Sequence, residues 1–232
     1  MFNANLIKAI TLDLDDTLWP VWPTIYKAED LMREFLQPHA PKTVDFFANK
    51  ESIASLRKKL IQDNPHFAID LNTLRKTSIH EVLSMHQEPL ELVDPAFEVF
   101  IQARQQVDLF ADSFDALKRL SSKYKIVALS NGNANVFGME IGQFFHDAVS
   151  AVQAGVAKPD AKIFNLAIDK TGYQAHEILH VGDDAHLDAK AALQLGLHTV
   201  WVNRPQQDWP FTDFAQPISV PDMAALCDLL EC

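Results

Sequence analysis

An apolar stretch at Ile7, Ala9, Ile10 and Leu12 runs straight into Asp13-Leu14-Asp15-Asp16-Thr17. The β-branched run predicts a buried strand, and the acidic run predicts carboxylates arriving where that strand ends. Two prolines in Trp19-Pro20-Val21-Trp22-Pro23 then interrupt any regular element and mark a link into something new. From Thr24 to about Val107 apolar residues recur near helical spacing, among them Ile25, Leu31, Met32, Phe35 and Leu36, then Val44, Phe47, Ile53, Leu56 and Leu60. Breaks at Pro38 and Pro41, at Asn64-Pro65 and at Pro89 divide this stretch into about four helices. From Leu109 the texture alternates. Asp112 to Asp115 reads as a helix start, and 125–129, 148–152, 177–181 and 198–202 read as short buried strands. Helices are expected around 137–145, from Pro159 to Gly172, and in the Ala/Leu-rich run closed by Gly196. Residues 204–221 read as a Pro-rich loop before a terminal helix. The pattern predicts an α/β fold, a Rossmann-like parallel sheet with helices on both faces, plus an inserted all-α cap. The core would span 1–19 and 108–232, and the cap 20–107.

Composition narrows the partners. The chain has 232 residues, 48% of them hydrophobic, and a net charge of −11 at pH 7. That balance is ordinary for a globular protein and disfavours nucleic acid or an anionic membrane, both of which need clustered Lys and Arg. A small anionic ligand would need a cation or a local lysine. Cys227 and Cys232 match no zinc or redox spacing and read as free thiols, which suits a reducing cytosol. No charged-then-apolar leader and no membrane-length apolar run appears. A cytoplasmic protein, a monomer or weak homodimer, is therefore expected.

Polar groups fall at three strand ends: Asp13 and Asp15, Ser130 and Asn131, then Asp183, Asp184 and Asp188, with Lys158 just ahead of a helix. Strand ends of a parallel sheet share one edge, so these residues are expected to converge on one crevice. Clustered carboxylates with hard oxygen ligands point to Mg2+. Carboxylates alone would repel a phosphate, but magnesium and Lys158 reverse that sign, and Ser130 can donate to a phosphoryl oxygen. His176, His180, His186 and His198 have no compact metal spacing and read as ordinary loop or strand histidines.

Taken together, DLDDT at 13–17, Ser130, Lys158 in AKPD, and GDD followed by Asp188 resemble the four motifs of a haloacid-dehalogenase-superfamily phosphatase with a helical cap after the first strand. The resemblance implies a phosphatase with Asp13 as the nucleophile that becomes an aspartyl phosphate, and Asp15 as the acid and base. It also implies metal ligands in Asp13, the Asp15 carbonyl and Asp183, a neutralising Lys158, and Asp188 orienting that lysine from behind. Asp184 stays open between a water-mediated ligand and a helix cap. The SNGN turn, the LHVGDD run and the cap's length resemble bacterial phosphatases acting on flavin mononucleotide and on the phosphorylated ribityl-pyrimidine of riboflavin synthesis. A small phosphorylated metabolite is thus the expected partner. Asn131, and in the cap Trp22, Tyr26 and Arg75, are candidate substrate contacts, with Trp19 grouped beside the two aromatics. Rival readings are a haloacid dehalogenase, which needs no metal and generally lacks the second aspartate, a receiver-type signalling domain, and a non-catalytic binding protein.

Overall fold

The computed structural model describes residues 4–232. The chain divides into two compact units, one holding the described residues up to Pro20 with Asp108–Cys232, the other Val21–Val107.

In chain order, β1 (Ala9–Leu12) is followed by five helices: α1 (Val21–Leu36), α2 (Pro41–Ala48), α3 (Lys50–Asp63), α4 (Leu71–His86) and α5 (Val93–Arg104). Next come α6 (Ser113–Lys123), β2 (Lys125–Ser130), β3 (Asp147–Ser150), α7 (Ala151–Ala154), α8 (Ala161–Thr171) and β4 (Ile178–Gly182). The last elements are α9 (Ala191–Gln194), β5 (His198–Val202), β6 (Ile218–Val220) and α10 (Met223–Leu229). All six strands pair in parallel, in the order β3-β2-β1-β4-β5-β6. Every residue of β1 and β4 is buried, as a central parallel strand covered on both faces requires. Strand order reverses at β1, so the carboxyl ends of β2, β1 and β4 border the crevice where such sheets hold ligands. Leu12 pairs with both Ala128 and Val181, which brings Asp13, Ser130 and Asp183 out of the sheet at nearly one level.

Several expected boundaries differ. A sixth strand, β6, lies inside the stretch read as a Pro-rich loop. It is three residues long at the sheet edge, too short to display alternation, and exists through its pairing with Val200–Val202. The helix expected around 137–145 is instead two 3₁₀ turns, Val136–Gly138 and Glu140–Phe144. The strand expected through Val152 stops at Ser150, whose hydroxyl accepts the Gln153 N–H and starts α7. Pro159 precedes α8, which Asp160 caps, and the Lys158–Pro159 bond is cis. The run after β4 opens with a π-helical stretch, Ala185–Lys190, before α9.

The helical unit buries Ala28, Met32, Leu36, Ile79, Leu83 and Phe100 in its own core. It has five α-helices rather than about four, because the Asn49 side chain accepts the Glu51 and Ser52 N–H groups and separates α2 from α3 without a proline. Pro23 does not end anything: it sits in the first turn of α1, where its missing N–H has no partner to lose.

Candidate active site

Asp13 leaves β1 with its N–H still bonded to the Val181 carbonyl at 2.9 Å, and the chain then turns tightly. Asp16 takes a left-handed conformation (φ 59°), Leu18 N–H reaches back to Leu14, and Asp16 N–H to Trp19. Leu14 is buried between buried Asp13 and half-buried Asp15. Trp19, grouped with the cap aromatics on sequence, is fully buried in the sheet-bearing unit, and its indole N–H donates to Asp15 Oδ1 at 2.8 Å. The indole thus fixes the direction of the Asp15 carboxylate.

Lys158, buried ahead of α8, bridges two carboxylates: its ammonium lies 2.5 Å from Asp13 Oδ1 and 2.6 Å from Asp188 Oδ1. Asn131 holds the lysine's backbone, accepting Lys158 N–H at 2.7 Å and donating to its carbonyl at 3.0 Å. Both ends of the Asn131 amide are therefore engaged within the protein. Ser130, at the end of β2, accepts the Gly132 N–H at 2.9 Å, an arrangement that leaves its hydroxyl hydrogen to be donated. Asp184 Oδ1 accepts the His186 and Leu187 N–H groups, so this carboxylate caps the turn after β4. Gly182 is required by close approach, because a Cβ there would fall on the Asp188 carboxyl group.

Two residues that the sequence reading gave no role in the site, Thr17 within DLDDT and His180 taken as an ordinary strand histidine, complete the cluster. Thr17 donates to Asp183 Oδ1 at 2.9 Å and lies 3.4 Å from Asp13 Oδ2. His180, fully buried in β4, contacts Asp188 Oδ1 through Nε2 at 3.1 Å and Thr11 Oγ1 through Nδ1 at 2.9 Å. Burial lowers the His180 pKa, which keeps the imidazole neutral. An ionised Asp188 then requires the proton on Nε2, with Nδ1 accepting from Thr11. Spacing in the sequence carries no sign of either contact, apart from the threonine that closes DLDDT.

Asp13, Asp183 and Asp188 bring carboxylate oxygens within 4.8 Å of one another. Burial, together with Asp183 and Asp188, pushes Asp13 well above the usual carboxylate range despite Lys158. Burial and Asp188 push Asp183 up to about 7. Burial would raise Asp188 as well, but Lys158 and His180 hold it down to about 2, and its two neighbours raise the Lys158 pKa in spite of burial. Three carboxylates against one ammonium leave two uncompensated negative charges when all are ionised. A divalent cation fits that deficit, and the all-oxygen donor set suits a hard ion. The cavity lined by Asp13, Asp15, Ser130, Lys158 and Asp183 is about 170 Å³, enough for a phosphoryl group. A larger cavity of about 740 Å³ shares Asp16, Asp183 and Asp184 with it and continues to Phe110, Trp201 and Gln207.

In the helical unit Trp22 and Tyr26 stand one turn apart on α1, 61% and 46% exposed, with ring centroids 5.9 Å apart. Arg75 is differently placed: it is ion-paired to Glu29 at 2.8 Å and stacked 3.6 Å over Phe100. Burial and the neighbouring Arg57 bring its pKa down to about 10. Among the described residues no helix is long and apolar enough to cross a membrane.

A family model described as a haloacid dehalogenase-like hydrolase matches residues 7–196. The chain is 31% identical over 204 residues, 86% of its length and 84% of the relative's, to the 5-amino-6-(5-phospho-D-ribitylamino)uracil phosphatase YigB of Escherichia coli (strain K12). It is 30% identical over 139 residues, 57% of this chain and 58% of the relative, to an (S)-2-haloacid dehalogenase of Pseudomonas fluorescens. Among solved structures, a 2-haloacid dehalogenase from Pseudomonas syringae pv. Tomato DC3000 superposes with a TM-score of 0.89 at 30% identity, over 97% of this chain and 98% of that one.

Proposed function

The chain belongs to the haloacid dehalogenase-like hydrolases, and on that footing we propose that it is a Mg2+-dependent phosphomonoesterase acting on a riboflavin-pathway phosphate. The candidate substrates are flavin mononucleotide and the phosphorylated ribitylamino-uracil named for its relative. The observation that carries the reaction class is the Lys158 bridge: one ammonium holds the Asp13 carboxylate at 2.5 Å beside a second acidic group, Asp15, oriented by Trp19.

Asp13 is the nucleophile. Its carboxylate oxygen attacks phosphorus, an Asp13 O–P bond forms, and the bond from phosphorus to the leaving oxygen breaks. Asp15 gives that oxygen its proton, then takes one from the water that attacks the aspartyl phosphate and frees inorganic phosphate. Lys158 and the Ser130 hydroxyl bind phosphoryl oxygens and stabilise the charge that spreads over them. Asp13, the Asp15 carbonyl and Asp183 would hold the cation, Asp184 caps the turn beside them, and Asp188 keeps Lys158 aimed at Asp13. Such a cation would supply Lewis-acid stabilisation of the phosphoryl oxygens. Asn131 acts through Lys158, by fixing its backbone. Exposed Trp22 and Tyr26 are the cap's candidates for stacking on a flat ring, and Arg75 contributes by ordering Glu29 and Phe100 around α1.

The dehalogenase relatives favour one rival, a 2-haloacid dehalogenase, which uses the same nucleophile. Asp15 and the uncompensated acidic cluster have no work in that chemistry. One experiment separates the two: kcat/KM for flavin mononucleotide, the ribitylamino-uracil phosphate, a pyrimidine nucleotide, phosphoglycolate and 2-chloropropionate, with Mg2+ and after chelation. Either riboflavin-pathway phosphate is expected to exceed phosphoglycolate by at least about tenfold, which needs roughly 1.4 kcal/mol, with no turnover after chelation. Chloride release that survives chelation would establish the dehalogenase instead. A flat phosphate profile would discard the riboflavin-pathway substrate.

A further inference from the structure

None of the four motifs lies on β5, yet the exit of that strand holds Asp183 at two points. Trp201, buried, donates its indole N–H to the Asp183 backbone carbonyl at 2.6 Å. Arg204 donates to the Thr17 carbonyl, from Nη2 at 2.9 Å and from Nε at 3.3 Å. The Thr17 hydroxyl in turn donates to Asp183 Oδ1 at 2.9 Å. Both donors are themselves fixed. Arg204 forms a two-pronged pair with Asp112 (3.1 and 2.9 Å) and stacks 3.9 Å over the Phe110 ring. Trp201 packs edge-on against Trp209, with ring centroids 5.4 Å apart.

Such a clamp answers a specific need. Asp183 lies within 4.8 Å of two other carboxylates, so like-charge repulsion favours any rotamer that carries its ionised side chain away from them. A carboxylate allowed to swing away would have to be reordered at each binding event, and that ordering weakens affinity.

We propose that Trp201 and Arg204 are positioning residues for the cation site, holding Asp183 from the backbone side and, through Thr17, from the carboxylate side. The inference rests on the divalent-cation reading of the acidic cluster. Outer partners of metal ligands typically change affinity about 10–100-fold when removed.

The test is calorimetric titration of chelator-stripped protein with Mg2+, for the wild type, Trp201→Phe, Arg204→Met, Arg204→Lys and Trp209→Phe. Trp201→Phe keeps an aromatic ring, smaller than indole, and loses the N–H; Trp209→Phe makes the same change in its packing partner, keeping a ring against Trp201 and losing an N–H that goes to the Phe214 carbonyl at 2.7 Å and not to Asp183. Trp201→Phe and Arg204→Met should each raise the Mg2+ Kd roughly tenfold or more. Arg204→Lys, which can still donate to Thr17, should recover part of the loss, and Trp209→Phe should stay within about twofold. Melting curves identify any variant that is unfolded at the assay temperature; should Arg204→Met be one, Trp201→Phe and Arg204→Lys decide. Folded Trp201→Phe and Arg204 variants with the wild-type Kd would overturn the inference. So would an equal loss in Trp209→Phe, which would indicate general aromatic packing. A wild type that binds no Mg2+ would instead remove the cation reading itself.

Discussion

Asp15 is a carboxylate whose direction is set by a buried indole, since Trp19 Nε1 reaches Oδ1 at 2.8 Å. An amide in its place still accepts that bond through its own oxygen but neither gives nor takes the proton of the reaction. Asp15→Asn should therefore fold normally and slow hydrolysis of an alkyl phosphate by roughly a hundredfold or more, the usual scale of general acid–base catalysis. A good leaving group needs little protonation, so the loss on p-nitrophenyl phosphate should be markedly smaller. Steady-state kinetics on both substrates check this, and equal losses would remove Asp15 from the acid role. The same reasoning separates the site's other residues by what they touch. Lys158 faces Asp13, whereas Asn131 bonds the lysine's backbone, so loss of Asn131 should be a weaker form of the loss of Lys158.

Element ends are tied together by Asp112. It stands at the start of α6 without capping that helix, and instead accepts the Met223 N–H of α10 at 2.7 Å and the Arg204 fork from beyond β5. Burial would raise its pKa, but the bonds from Arg204 and Met223 win and hold it below the ordinary 3.8. A carboxyl lowered in the folded state binds its proton more tightly when unfolded, so its stabilisation is present above the ordinary pKa and lost as pH falls through the folded one. The stability difference between wild type and Asp112→Asn should be constant above about pH 5 and shrink below about pH 4. Denaturant unfolding across that range measures it, and a pH-independent difference would show that the charge carries none of the effect. Ends of this kind are also where the sequence stops being readable. β1 and β4 are legible because burial on both faces writes them as mostly apolar runs, broken only by Thr11 and His180, and the acidic residues at their ends stand out by contrast. β6 is invisible because three residues cannot show a period, and Asn49 hides a helix break because its cap is a side-chain bond. Thr17, Trp19, His180 and Arg204 escape for a different reason: each is an ordinary residue whose meaning comes from a partner. Arg204 meets Thr17 across 187 positions, a pairing that only the sheet order creates.

At the scale of the whole chain, the candidate cation ligands all belong to the sheet-bearing unit, and among the described residues the acidic cluster draws no member from 21–107. Binding that requires the folded arrangement stabilises that unit by mass action, about 2.7 kcal/mol at a hundred times Kd. For a unit of this size that corresponds to a rise of roughly 5–10 °C in Tm, at about 2–4 °C per kcal/mol. The chain also carries a net charge of −11, so any salt relieves some self-repulsion, and magnesium must be compared with sodium chloride at matched ionic strength. The expected result is a Tm increase specific to Mg2+ and absent in Asp183→Asn. It should be accompanied by slower amide hydrogen exchange in β1, β4 and the turns that follow them, larger than any change in α2–α4. Equal effects of the two salts would reduce the cation to charge screening. A gain in protection confined to 21–107 would place the binding site in the helical unit, and the acidic cluster would lose its role.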